Sequence, residues 1–441
     1  MKAIHVLAVG LFLCLFSTSF MGFFPPTAMS SPTNYMFTKQ PTQDIQKYSS
    51  ILAGSSSTII TPDLSKYQPI YLAGFDRGRT ATAIHDNLWS RCCCFSIQNT
   101  TVAIVSVDLI GLMYPEFISI QQQVLEEIPL DLLIISSTHN HEGPDVIGLW
   151  GSNLHTGVHW EWYQQTLKDI AQGVITAYHT MEPAGIKIGH GLAPGFSRDS
   201  REPIVMDEQV ETIQFVRPDE SSITTMVFYS SHPEVLWNKN TLITADYPHY
   251  LYEHIEQETN GSAIFVSGAI GGLITPKVQN HTFHDAKIYG ESLANISLHS
   301  LEETSIIWDT SLRVDTKKLL IPLTNPVFRF AACINLINRP FHSFRLYIES
   351  CVNIIELGEQ GSLAQIVTVP GEDFPENWLE LKDKLHASHK ICIGLGNDEL
   401  GYIVPIEAFN WQDYEESMSA SKYLDHIIHQ SLEEMLTILD K

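Results

Sequence analysis

The stretch Ser136 to Pro144, "SSTHNHEGP", sets His139 and His141 one residue apart, directly after an apolar run. An imidazole can ligate a metal, move a proton or brace a loop, and the pair alone leaves all three open. Other apolar runs end on related chemistry. His232 follows "TTMVFYSS", Thr275 lies beyond "AIFVSGAIGGL", Glu372 ends "IVTVPGE", and Tyr402 follows "CIGLGNDELG". Two neutral imidazoles and a carboxylate are a common catalytic zinc set, with an open position for water. Zinc lowers the pKa of that water to about 7, and a tyrosinate can serve as an extra ligand. No H-E-x-x-H helix occurs, so this is not an ordinary zincin. From spacing alone, a strand-end histidine is as readily a hydrogen-bonding loop residue.

The elements around these residues alternate. "TVAIVSVDLIGL" and "LDLLIISSTHNH" read as buried strands, with the helical "EFISIQQQVLEEI" between them. "ITTMVFYSSHPE", "YPHYLYEHIEQE" and "SAIFVSGAIGG" repeat strand, helix, strand, as do "LAQIVTVPGE", "NWLELKDKLHA" and "KICIGLGNDELGY". The pattern predicts an α/β fold of mixed, partly parallel sheets with flanking helices. It also predicts a metal site at the C-terminal ends of strands, where ligands gather in open α/β sheets. No internal repeat stands out.

Lys2, a long apolar stretch, and the small residues Ala28 and Ser30 predict a signal peptide over 1–30, with an uncleaved N-terminal membrane anchor as the alternative. The body is then secreted, periplasmic or extracellular. Residues 31–66, rich in Ser, Thr, Pro and Gln, read as a surface arm or linker, and 67–441 as the catalytic domain. Export permits disulfides. Cys333 with Cys351 is the candidate pair, because they bracket one apolar insertion. The formal net charge of −24, with no offsetting basic patch, argues against nucleic acid and against simple electrostatic docking on anionic lipid.

"SSTHNHEGP" resembles the Thr-His-Thr-His-Ser-Gly-Pro signature of the neutral ceramidase family. "FYSSHPEVL" resembles its second histidine strand, "TVPGE" its Pro-Gly-Glu segment, and "GYIVPIEAFNWQDYEES" its two-tyrosine segment. "GLITPK" is similar to the amidase hexapeptide Gly-Asp-Val-Ser-Pro-Asn at the glycine, the hydroxyl residue and the proline. All five segments stand in the family's order, within residues 67–420, the catalytic part alone. The resemblance implies a zinc-dependent amidohydrolase that cleaves the N-acyl amide of a ceramide-like lipid. It assigns zinc to His139, His232, Glu372 and Tyr402, acid/base work to His141, and carbonyl contact to Tyr414. Arg201 would be the pocket arginine, with Arg198 close enough to leave the register open.

Departures bear on the substrate. Thr275 stands where the family has its critical serine, as a nucleophile or as an orienting group for water. Leu273, Lys277, Asn140 and Glu142 also differ from the family pattern. Another N-acyl amide or an ester is therefore the alternative substrate, and a non-catalytic binding protein a more distant reading. Asp108 is a candidate to orient a ligand histidine. His85 is read as structural. The apolar insertion at 325–355 either packs as a core helical hairpin, or lines an acyl tunnel or dips into lipid as a peripheral membrane contact.

Overall fold

The computed structural model describes residues 50–439, apart from 153, 154, 335, 338 and 340–345. The expected signal peptide and residues 31–49 of the expected arm lie outside the described residues.

The first sheet has the order β5-β4-β3-β1-β6, from β1 (Ile51–Ile59), β3 (Trp89–Ile97), β4 (Thr100–Val107), β5 (Leu132–Ser137) and β6 (Glu182–Pro183). The second runs β12-β10-β9-β7, from β7 (Gly185–Leu192), β9 (Gln209–Val216), β10 (Ser222–Tyr229) and β12 (Ser262–Ser267). The third runs β14-β15-β16-β18, from β14 (Leu312–Pro322), β15 (Tyr347–Leu357), β16 (Ala364–Thr368) and β18 (His389–Ile393). Two-residue strands form three further pairs: β2 (Ala83–Ile84) with β11 (Leu242–Ile243), β8 (Ser197–Arg198) with β13 (Thr275–Pro276), and β17 (Glu372–Asp373) with β19 (Tyr402–Ile403).

Each large sheet repeats one connectivity. Three strands pair antiparallel, and the third then pairs with a parallel fourth: β4 with β5, β10 with β12, β16 with β18. Parallel neighbours need a crossover, usually a helix. Here these are α1 (Tyr114–Glu127), α3 (Tyr247–Thr259) and α6 (Pro375–Lys384). Between them in the chain lie α2 (Trp160–His179), α4 (Phe283–Ser300) and α5 (Pro326–Cys333). The repeat is one of topology, which is why it is invisible in the residues.

The fourth strands converge at their C-terminal ends. Ser267 Oγ donates to Thr138 O at 2.8 Å, Ser136 Oγ to Gly394 O at 2.8 Å, and Gly394 N–H to Ser267 O at 2.8 Å. Gly394 is required there, since a Cβ would lie 2.1 Å from Gly268 O. Behind this junction one apolar cluster draws on all three sheets, including Ile104 and Ile134, Ile213 and Ile264, and Ile355 and Ile391. The loops that leave the parallel strands therefore face one another.

Three expectations are corrected. Residues 51–59 are not a surface arm: β1 pairs with β3 along its whole length, and Ile51 and Ala53 are fully buried. Its Ser-rich run misled because those hydroxyls find partners inside, as Ser56 Oγ does on Gly173 O at 2.7 Å. Among its described residues the insertion forms one helix and the start of a strand rather than a helical hairpin. It is an excursion carrying α5 between the antiparallel partners β14 and β15. Cys333, exposed on α5, and Cys351, buried in β15, are both free thiols. Among the described residues no helix is long and apolar enough to cross a membrane.

Candidate metal centre and its cavity

His139 follows β5 with φ +63°, a left-handed conformation that non-glycine residues seldom adopt. Extended backbone therefore does not align His139 with His141. They converge because the chain turns, and their ring centroids lie 5.0 Å apart. His139 Nδ1 bonds Ile110 O at 2.6 Å, and His232 Nδ1 bonds Ile274 O at 2.7 Å. A carbonyl only accepts, so both protons sit on Nδ1 and both Nε2 lone pairs are left for a ligand. Asp108 does not orient either ring. It accepts from Trp89 N–H at 2.9 Å and from Tyr252 O–H at 3.1 Å.

Glu372 Oε2 stands 3.1 Å from His232 Nε2 and 3.5 Å from His139 Nε2. Tyr402, its register partner across β17 and β19, hydrogen-bonds it. Tetrahedral zinc with bonds of about 2.0–2.1 Å holds its ligands about 3.3 Å apart, so these distances already bracket that spacing. Burial pushes the Glu372 carboxyl well above the usual range despite the Tyr402 hydrogen bond, and the charges of Glu234 and Glu415 add to the rise. Its ionised form calls for a cation alongside. Burial, with His141 and His232 adjacent, holds His139 well below the ordinary histidine range, in the neutral form that ligates. His139, His141 and His232 each bring a donor nitrogen within 4.8 Å of the others, so this buried group can bind a metal.

His141 Nδ1 lies 3.0 Å from Glu234 Oε2 but out of hydrogen-bond alignment. Glu234, buried two residues after His232, also accepts the Thr275 hydroxyl. Thr275, Glu234 and His141 thus form a chain of polar contacts beside the metal group. Motif and spacing do not single out Glu234. Its signal was the His-Pro-Glu tripeptide, whose turn aims a carboxylate back at the ring cluster. Glu142, where the family has serine, is held by Arg79 at 3.0 Å and Asn240 at 2.8 Å, which makes it a brace for the loop.

Arg201 and Arg198 separate clearly. Arg201 is engaged by Glu416 at 2.7 and 3.1 Å and by Glu415 at 3.5 Å, outside the cavity lining. Arg198 is the register partner of Thr275, and its charge acts on Glu234. Tyr414 opens α7 (Tyr414–Ser417) at the cavity lip, 54% exposed, its ring 6.2 Å from that of Tyr402. His85 stacks on Phe283 at 3.7 Å and bonds Asp86 at 2.8 Å, the structural role expected.

A cavity of about 840 Å³, mouth included, opens onto His139, His141, Glu372 and Tyr402. Its walls are apolar and include Phe328, Ala332, Ile337 and Ile348 from the insertion. Of the two readings of that segment, lining is the one observed. Arg339 also reaches the wall but is neutralised by Asp398 at 2.7 Å.

Solved structures share this architecture. A ceramidase complexed with C2 superposes with a TM-score of 0.74, covering 89% of this chain and 75% of its own, at 14% identity. The chain has the neutral ceramidase fold. The neutral ceramidase from Pseudomonas aeruginosa superposes with a TM-score of 0.71, covering 90% and 75%, also at 14% identity. No protein-family profile and no curated protein sequence matches the chain. On this fold the five ordered motifs follow the parallel strands, and three of them supply cavity-lining residues: His139 and His141, Glu372, and Tyr402 with Tyr414.

Proposed function

We propose that this chain is an exported, zinc-dependent amidohydrolase that cleaves the N-acyl amide of a ceramide-like lipid into a fatty acid and a sphingoid base. The observation that carries this reading is the apolar-walled cavity that opens onto His139, His141, Glu372 and Tyr402, three of them from the metal set. Its walls are mostly apolar, as an acyl chain requires, and the Arg339 charge on them is paired with Asp398. Glu399 Oε2 is buried there without a hydrogen-bond partner, available to a polar group next to the amide.

His139, His232, Glu372 and Tyr402 would hold the zinc, which when bound supplies Lewis-acid polarisation of a carbonyl and acidifies water. The chain's own groups do the rest. The Tyr414 O–H at the lip donates to the developing oxyanion. Glu234 takes a proton from Thr275 or from water oriented by Thr275 and passes it to His141 Nδ1, 3.0 Å away, while His141 gives the proton on its other ring nitrogen to the leaving amine. The departures at Thr275 and its neighbours favour, as second reading, a different N-acyl amide or an ester on the same machinery. Val327, Phe330 and Ile334 are exposed on and just after α5, while Phe328 and Ala332 of the same segment face the cavity. That pairing suits peripheral contact with a lipid surface beside the entrance.

The test is release of fatty acid from labelled ceramide, short water-soluble N-acyl amides and esters by purified, zinc-loaded protein. Long-chain ceramide is expected to be hydrolysed best. Absence of bound zinc together with inactivity on ceramide would overturn the reading, and a preference for short amides would favour the second. Ala332→Phe fills the wall of the cavity. It is expected to cut kcat/KM for long acyl chains about tenfold or more while sparing acetyl-length ones, read as a chain-length profile against the parent.

A further inference from the structure

A second cluster of metal-ligating side chains lies away from the cavity. His190 on β7 and Glu211 on β9 are direct cross-strand partners. His389, the first residue of β18, comes from the third sheet, and its Nδ1 faces Glu211 Oε2 at 2.9 Å. The two imidazole centroids lie 5.5 Å apart, and one donor atom from each of the three residues falls within 4.8 Å of the others. Glu211 is 4% exposed, and its other oxygen is fixed by Gln209 Nε2 at 2.7 Å, so the carboxylate is held in place. Of the lysines beside it, Lys382 is occupied by Asp207 at 2.7 Å and by Gln209 Oε1 at 2.8 Å, and Lys390 by the Lys382 carbonyl at 2.9 Å.

We propose that His190, Glu211 and His389 form a second transition-metal site, of the zinc class, that clamps the second sheet to the third. Two imidazoles and one carboxylate select zinc, cobalt, nickel or copper over magnesium and calcium. Tetrahedral ligands sit about 3.3 Å apart at bonds of about 2.0–2.1 Å. The donors need only draw together from within 4.8 Å. Glu211 and the half-buried His389 are already in contact, so the exposed His190 is the side chain that closes. The ring proton that His389 shares with Glu211 leaves as the metal binds, and exposure at His190 supplies the entry path and the open water position. The clamp joins Ile188, Ile213 and Ile391, which already pack in one cluster beneath it.

The experiment measures bound Zn²⁺ per chain by equilibrium dialysis of metal-stripped full-length protein, with Co²⁺ absorption as a second readout. His190→Ala, His389→Ala, His232→Ala and the His232→Ala/His190→Ala pair are compared. Two equivalents are expected for the parent, one for each single variant and none for the pair. Added Zn²⁺ is expected to raise the Tm of His232→Ala but not of the pair, because only a native-state site gives that shift. His190→Ala alters an exposed side chain, so its loss of one equivalent is not a folding defect. Equal stoichiometry in the parent and His190→Ala, or binding only at millimolar Zn²⁺, overturns the clamp. Failure of the cavity site instead leaves His232→Ala equal to the parent, which is a separate result.

Discussion

Replacing His232 with alanine is expected to remove the metal of the cavity and to abolish turnover. The residue sits at 1% exposure, its Nδ1 tied to Ile274 O and its Nε2 3.1 Å from Glu372 Oε2. Alanine deletes one ligand and leaves Glu372 buried without its neighbour, so the remaining groups hold a cation poorly. Lewis-acid stabilisation worth about 4 kcal/mol corresponds to a rate loss of about 10³-fold. The measurements are metal content at the cavity site and kcat on the best substrate of the panel. A variant that keeps both would remove His232 from the metal set. Glutamine at Glu372 is expected to follow it, since it keeps the shape and loses the charge.

The second large effect is expected at Glu234, a residue that does not ligate in this scheme. Its carboxylate joins Thr275 on one side and stands 3.0 Å from His141 Nδ1 on the other. A positioned general base contributes about 10²–10⁴-fold, so Glu234→Gln is expected to lower kcat by about 10²-fold or more while metal content stays at the parent's level. Thr275→Ser keeps the hydroxyl that Glu234 accepts and is expected to retain activity, whereas Thr275→Val, which lacks it, is expected to behave like Glu234→Gln. Combining Glu234→Gln with Thr275→Val separates a shared role from independent ones. If the two act as one unit, the double variant is no worse than either single one. A loss confined to KM would assign Glu234 to substrate binding instead.

Much of the fold was legible because buried parallel strands are continuous apolar runs. "LLIISS" and "AIFVS" are strands in the structure where the pattern put them, and the helices between them carry their own apolar period. The strand at 51–59 was not legible. Ser55, Ser56 and Ser57 look like linker, and their partners come from elements distant in the chain: Ser262 on β12, Gly173 on α2 and Arg91 on β3. Asp108 looked like an orienting carboxylate because it follows β4, yet carbonyls of Ile110 and Ile274 do that work. Backbone carbonyls are present at every residue, so no side-chain pattern can announce them.

By itself the sequence determined which residue types end each apolar run, and hence the identity of the imidazoles, the carboxylate and the tyrosine. Periodicity and motif are local properties, readable within a dozen residues. Only the tertiary structure decided that these ends meet. Glu372 and His232 are 140 residues apart in the chain and 3.1 Å apart in space. They meet because three sheets of one connectivity bury a common core and join at Ser136, Ser267 and Gly394. The same junction brought in Glu234, separated Arg198 from Arg201, and set the insertion against the site as a cavity wall. Each of those outcomes depends on packing between segments distant in the chain.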